Sequence, residues 1–128
     1  MTLPFSAVPF TRLIGLEREF SEAGRSRFVL APKAELQNMV QTTHGGVVAT
    51  LLDVAMASAA VSHVNFSMTA VTLDMNCQFL QPGRGTLHVD GELIGVDEGI
   101  ALCRARVFDA QDALVAQAHG TFKYLPHR

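Results

Sequence analysis

His44-Gly45-Gly46-Val47-Val48-Ala49-Thr50-Leu51-Leu52-Asp53-Val54-Ala55-Met56-Ala57-Ser58-Ala59-Ala60-Val61-Ser62-His63 decides how this chain folds. Its alanines and leucines favour helix. Apolar residues fall on every face, the pattern of a helix buried all round. Such a helix needs a covering layer, and the sequence beyond it supplies one. From Ala70 the period changes to two, with Leu73, Met75, Cys77 and Phe79 on one face and Thr72, Asp74, Asn76 and Gln78 on the other. Turns at Pro82-Gly83-Arg84-Gly85, Asp97-Glu98-Gly99 and Gln111-Asp112 separate strands over residues 86–96, 100–109 and 113–125. Before the helix, residues 13–32 read as two short strands around Glu22-Ala23-Gly24-Arg25. Residues 33–43 read as a polar, irregular segment with one helical turn near Ala34–Met39. The connections have hairpin length, too short for parallel crossovers. The expected fold class is α+β: an antiparallel sheet of five or six strands wrapped around one long helix, as a single domain over residues 1–128.

Composition narrows the partners. Of 128 residues, 48% are hydrophobic and only 17% charged, and the net charge is −2. A typical soluble domain carries about 25% charged residues. The apolar surplus points to surface buried against another subunit. There is no basic excess and no tryptophan, which argues against nucleic acid. Cys77 and Cys103 make no disulfide scaffold and read as buried, inert thiols. The N-terminus lacks a signal-peptide pattern, and the apolar stretch Val47–Val61 is shorter than the roughly 20 residues of a bilayer span. The expectation is a cytoplasmic chain without a membrane partner. The five histidines have no metal-ligand spacing, so neither a metal nor a cofactor is expected.

Asp53 is the most informative residue. It is the only charged side chain between His44 and His63, in a helix with no polar face. A buried carboxylate is costly unless it is paired or used. Just before it, Gly45-Gly46 opens the helix. Glycine allows close approach of a ligand to the backbone, and free N–H groups at a helix start stabilise a developing oxyanion. Taken alone, a tight turn and a structural His44 explain the same glycines and histidine, and an Asp53 that simply accepts hydrogen bonds at a subunit boundary explains the carboxylate.

Residues His44 to Ala55 resemble the signature of the PaaI-like hotdog-fold acyl-CoA thioesterases. Asn38 stands seven residues before Gly45, as in that family. Thr72-Leu73-Asp74-Met75-Asn76, Phe79-Leu80-Gln81-Pro82-Gly83 and Ala116-Gln117-Ala118-His119-Gly120-Thr121-Phe122 continue the match over about residues 13–125. The resemblance implies a hotdog fold and roles for matching positions. Asp53 would be nucleophile or general base. Gly45 would supply the oxyanion N–H, supported by Asn38. His44 would assist the carbonyl or the leaving thiolate, and Thr72 would position water.

Helix geometry adds an argument of its own. Gly45 and Asp53 are eight residues apart, roughly 12 Å at 1.5 Å per residue. Reacting groups must approach to about 3–3.5 Å. One chain's Gly45 therefore cannot serve its own Asp53. Two antiparallel helices across a two-fold axis would bring each Gly45 to the other chain's Asp53, which predicts a homodimer with composite sites; the hotdog resemblance implies that such dimers pair further as a dimer of dimers. Further substrate contacts are expected from Gly46, Met56, Arg84 and Lys123. Arg104, Arg106 and Arg128 are additional candidates for coenzyme A phosphates, and Phe66 and Met68 for the acyl pocket. Asp74 and Asn76 are expected near Thr72. The leading reading is an acyl-CoA thioesterase. A non-catalytic acyl-CoA-binding protein and a hotdog hydratase or dehydratase are the alternatives.

Overall fold

The computed structural model describes residues 2–127, so Arg128 lies outside them. A short helix α1 (Pro9–Ile14) leads into a hairpin of β1 (Glu17–Glu22) and β2 (Arg25–Leu30). The long helix α2 (Gly45–His63) follows, then β3 (Met68–Phe79), β4 (Leu87–Asp97), β5 (Ile100–Phe108) and β6 (Leu114–Pro126). Residues 13 and 14, expected in strand, belong to α1. Proline at its first turn favours that helix, and Gly15 at φ 78° ends it in the left-handed region.

The six strands form one antiparallel sheet in the order β1-β2-β4-β5-β6-β3, curled around α2 as in a hotdog fold. The turn at residues 82–85 is therefore not a hairpin. β3 pairs with β6, while β4 pairs with β2 and β5. The short connection crosses the open end of the curled sheet, a path that local spacing cannot distinguish from a hairpin.

Strand β3 also departs from simple alternation. Thr72 pairs with Phe122, and the next pair is Asp74 with Thr121, so Leu73 is an extra, bulged residue. A bulge resets the alternation. Thr72 joins buried Phe122 on the face toward α2, whereas Asp74 turns outward, where it accepts a hydrogen bond from Thr121 Oγ1 at 3.0 Å. Thr72 and Asp74 thus lie on opposite faces. Asn76 stays with Asp74 on the outer one, bonded to Gln78.

The core is the interface between α2 and the sheet. Leu51, Leu52, Ala55, Met56 and Ala59 are fully buried against Phe28, Val89, Val107 and Phe122. Helix and sheet touch closely at Gly91, where a Cβ would stand 2.2 Å from the Ala55 carbonyl oxygen. The buried hydroxyls of Ser26 and Tyr124 donate to the carbonyls of Ala55 and Ala60, each at 2.6 Å. By length and composition the 19-residue α2 would suffice to cross a membrane, more than the apolar stretch within it suggested. The sheet covers its core-facing side, where Val48, Leu51, Leu52, Ala55, Met56, Ala59 and Ala60 are buried.

Candidate active site

Asp53 sits midway along α2, half-buried. Its Oδ1 accepts a hydrogen bond from Thr72 Oγ1 at 2.5 Å. The bulge at Leu73 makes this contact by turning Thr72 toward the helix. The Thr72 hydroxyl spends its proton on the carboxylate and keeps its lone pairs to accept from water. Cys77 lies near enough to feel the same charge. Burial pushes its thiol pKa up, and Asp53 pushes it further. Cys103 is buried, and burial raises its thiol pKa to about 12, which keeps it protonated and inert.

Asp53 lines one wall of a cleft of about 940 Å³. The cleft opens where the two sheet edges, β1 and β3, leave a strip of α2 uncovered. Val54, Ala57 and Val61 form its floor, Phe66 and Met68 one side, and the N-terminal segment around Phe5 the other. A mostly apolar hollow with few polar groups suits a small apolar ligand. Met56, expected at the substrate, is instead fully buried in the core and does not line the cleft. It sits on the opposite face of the helix.

The helix start forms a separate hollow of about 300 Å³, lined by Asn38, Thr43, Gly45, Phe79 and Gly83 among others. Here the two glycines differ. The Gly46 N–H donates to His44 Nδ1 at 2.8 Å, whereas the Gly45 N–H has no partner among the described residues. Gly45 is therefore the free donor, and Gly46 serves the cap. A Cβ at Gly46 would stand 3.1 Å from His44 Nδ1, so glycine there leaves room for the imidazole. Because Nδ1 accepts, the ring's proton sits on Nε2, which points its donor away from the cap. Asn38 organises the preceding loop. Its Oδ1 accepts from the N–H groups of Val40 and Thr42, each at 3.1 Å, and its Nδ2 donates to Thr42 Oγ1 at 2.9 Å. One Nδ2 proton is left over for a ligand.

Asp53 with Thr72, and Gly45 with Asn38 and His44, are thus two clusters in one chain. They are eight residues apart on one uninterrupted helix, roughly 12 Å. The basic candidates lie elsewhere. Arg84 is exposed on the connection that closes over the Gly45 hollow. Lys123, Arg104 and Arg106 stand on the outer face of the sheet, away from α2, where Arg104 pairs with Glu92 at 3.1 Å. Among the described residues no three His, Cys, Asp or Glu side chains gather as a metal site. Sequence reasoning missed Arg18, which lines the cleft on β1. A second bulge hides its orientation.

Exposed apolar side chains gather beside these clusters. Met39, Val40, Leu73, Phe79 and Leu80 are each more than half exposed along the free edge of β3 and the loop next to it.

Comparison with known proteins shows the family and the fold. The Thioesterase superfamily model matches residues 40–116. The Halobacterium salinarum protein VNG_1336C is 35% identical over 88 residues, 62% of this chain and 58% of that protein. The medium/long-chain acyl-CoA thioesterase YigI of Salmonella typhimurium is 27% identical over 131 residues, covering 90% of this chain and 84% of YigI. The PaaI protein of E. coli, from the phenylacetic acid degradation operon, shares the fold with a TM-score of 0.87 at 21% identity, over 94% of this chain and 87% of its own. With a family match over more than half its length and a helix wrapped by the PaaI sheet, this chain belongs to the thioesterase superfamily, the hotdog enzymes that hydrolyse thioesters.

Proposed function

We propose that the protein hydrolyses acyl-CoA thioesters to a carboxylic acid and free coenzyme A, at two composite sites in a homodimer. The observation that carries this reading is the Thr72 hydroxyl held on Asp53 Oδ1 at the wall of an apolar cleft. It is supported by the acyl-CoA activity named for YigI.

The dimer follows from chemistry and surface together. Asp53 needs an oxyanion donor nearby, and the free Gly45 N–H of its own chain is roughly 12 Å away along the helix. A two-fold axis beside the open edge of β3 would cover the exposed apolar strip and set each Asp53 against the partner's Gly45. The acyl group then lies in the cleft and the thioester carbonyl lies between the two clusters. A strand edge with apolar side chains is a template for pairing.

In the general-base form, Asp53 takes a proton from a water that Thr72 positions. The resulting hydroxide attacks the carbonyl carbon. The oxyanion is held by the partner's Gly45 N–H, at the positive end of the helix dipole. The C–S bond breaks, and the proton on Asp53 passes to the leaving thiolate. In the nucleophilic form, Asp53 attacks the carbonyl carbon first, the C–S bond breaks to release the thiolate, and water then cleaves the anhydride, one proton of that water passing to the thiolate. Oxygen-18 from solvent enters the carboxylate of Asp53 in a single turnover only in the nucleophilic form. Arg84 is the basic residue best placed for a coenzyme A phosphate, next to the Gly45 hollow. Gly46 and Met56 act through the cap and the core instead.

The test is a hydrolysis screen over acyl-CoA thioesters of graded length with Asp53→Ala beside the wild type. The wild type should turn over at least one class, and the variant should lose about a hundredfold or more. Undiminished hydrolysis by Asp53→Ala would sink the assignment.

A further inference from the structure

Two segments distant in sequence close the cleft on the side away from Thr72, and one side chain ties them together. Thr72 holds Asp53, and the cleft lining on β3 runs from Ala70 back to Met68. Thr72 pairs with Phe122 and Met68 with Pro126, so His127 follows β6 at the Met68 end. Four residues of strand, at roughly 3.3 Å each, put Met68 roughly 13 Å along β3 from Thr72. His127 uses both ring nitrogens there. Its Nε2 donates to the Phe66 carbonyl at 2.8 Å, so in the neutral ring Nδ1 accepts from the Thr2 hydroxyl at 3.0 Å. Phe66 belongs to the turn between α2 and β3, and Thr2 to the segment before α1. All three residues line the cleft.

Each segment has a second hold. In the turn, the Phe66 N–H donates to Val61 O at 3.1 Å. Asn65 and Phe66 have φ of 53° and 59°, in the left-handed region that non-glycine residues avoid, and such a turn persists only where its surroundings hold it. In the other segment, the Phe5 ring stands 5.1 Å from the ring of fully buried Phe28. Residues Thr2 to Phe5 are therefore a strap, fixed to the core at Phe5 and to His127 at Thr2, with Leu3 and Pro4 along the cleft between. The strap and the turn also share the Arg18 guanidinium, whose carbon is 4.8 Å from the ring centre of Phe5 and 5.7 Å from that of Phe66. Thr2, Phe66 and His127 are exposed, so the core does not depend on the His127 bonds.

We propose that His127 is a positioning residue that limits the length of the acyl chain, by latching the strap to the turn across the end of the cleft. The inference rests on the thioesterase reading and names how its substrates are selected. An acyl chain whose thioester lies at Asp53 runs over Val54, Ala57 and Val61 and then meets the latched segments. A longer chain must leave methylenes in water or part the latch. Each methylene left in water forgoes about a fourfold gain in binding.

The test measures kcat and KM on even-numbered saturated acyl-CoA thioesters from hexanoyl to hexadecanoyl. In the wild type kcat/KM should rise with length to a limit and then fall. His127→Ala should move that limit up by about two carbons or more. At the first length beyond the wild-type limit, its kcat/KM relative to the shorter chains should rise about tenfold, through KM more than kcat. His127→Gln should keep the wild-type limit, because its amide still offers a donor to the Phe66 carbonyl and an acceptor to the Thr2 hydroxyl. A wild type without a limit overturns this inference alone. So does a limit that His127→Ala leaves in place, or an equal loss at every length, which marks a structural role. A His127→Gln variant that behaves as His127→Ala overturns the hydrogen-bonded latch. Hydrolysis of none of the series by the wild type overturns the thioesterase reading and this inference with it.

Discussion

Replacing Gly45 with proline separates a composite site from a site within one chain. Gly45 is the first residue of α2, and proline is well tolerated at a first helical position. His44 before it is extended, at φ −57° and ψ 137°, the conformation a following proline requires. A Cβ at residue 45 would meet only the Phe79 ring, at an ordinary 3.9 Å. The substitution therefore removes the free N–H and little else. Loss of one oxyanion donor costs about a hundredfold to a thousandfold in kcat. Asp53→Asn removes the carboxylate, so each variant alone should be nearly inactive. Co-expressed in equal amounts and combined at random, they give mixed dimers in about half of the population. In each mixed dimer one site joins the intact Gly45 of one protomer to the intact Asp53 of its partner, and the other site lacks both. Activity should return to about one quarter of the wild-type value. The assay is release of free thiol from an acyl-CoA, with differently tagged chains so that the mixed dimer can be isolated. A mixture no more active than the sum of its two parents would refute the shared site.

Three further outcomes follow from the packing. Gly91→Ala forces a Cβ to within 2.2 Å of the Ala55 carbonyl oxygen, against backbone that cannot yield. It should lower stability by about 3 kcal/mol in urea unfolding. Gly95→Ala, with nothing within 4 Å, should stay within about 1 kcal/mol of wild type, and equal losses would contradict the close approach. Cys103 has a thiol pKa raised by burial from 9.0 to about 12. A raised folded pKa contributes stability that is complete below pH 9 and is lost as pH rises toward 12, on the order of 4 kcal/mol over the whole window. Cys103→Ala should flatten the alkaline limb of stability against pH, and an unchanged limb would refute this. His44→Ala removes the acceptor that caps Gly46 N–H, so helix stability should fall by about 1 kcal/mol, read as a lower thermal midpoint.

Much of the molecule is legible from residue order. The all-round apolar pattern of residues 45–62 requires a covering sheet, and the alternation after Ala70 supplies its strands. The lone carboxylate of that helix singles out Asp53 as a candidate, because a charge on a helix without a polar face is costly unless it is paired or used. The separation of Gly45 from Asp53 is set by helix rise, which is a local property. Which atoms meet across the sheet depends on pairing, which is not local. The extra residue at Leu73 turns Thr72 to Asp53 and sends Asp74 outward. The extra residue at Glu19 turns Arg18 into the cleft. A bulge reverses every later side chain on its strand, yet it is defined by the partner strand's register, which the chain's own alternation does not encode. The curl of the sheet likewise decides that residues 80–86 cross an open end instead of closing a hairpin, and that Met56 faces the core while Val54 and Ala57 face the cleft. Sequence alone determined the helix, its wrapping and its one charge; tertiary structure decided which side chains that charge meets, because strand register and curvature are settled only between distant segments.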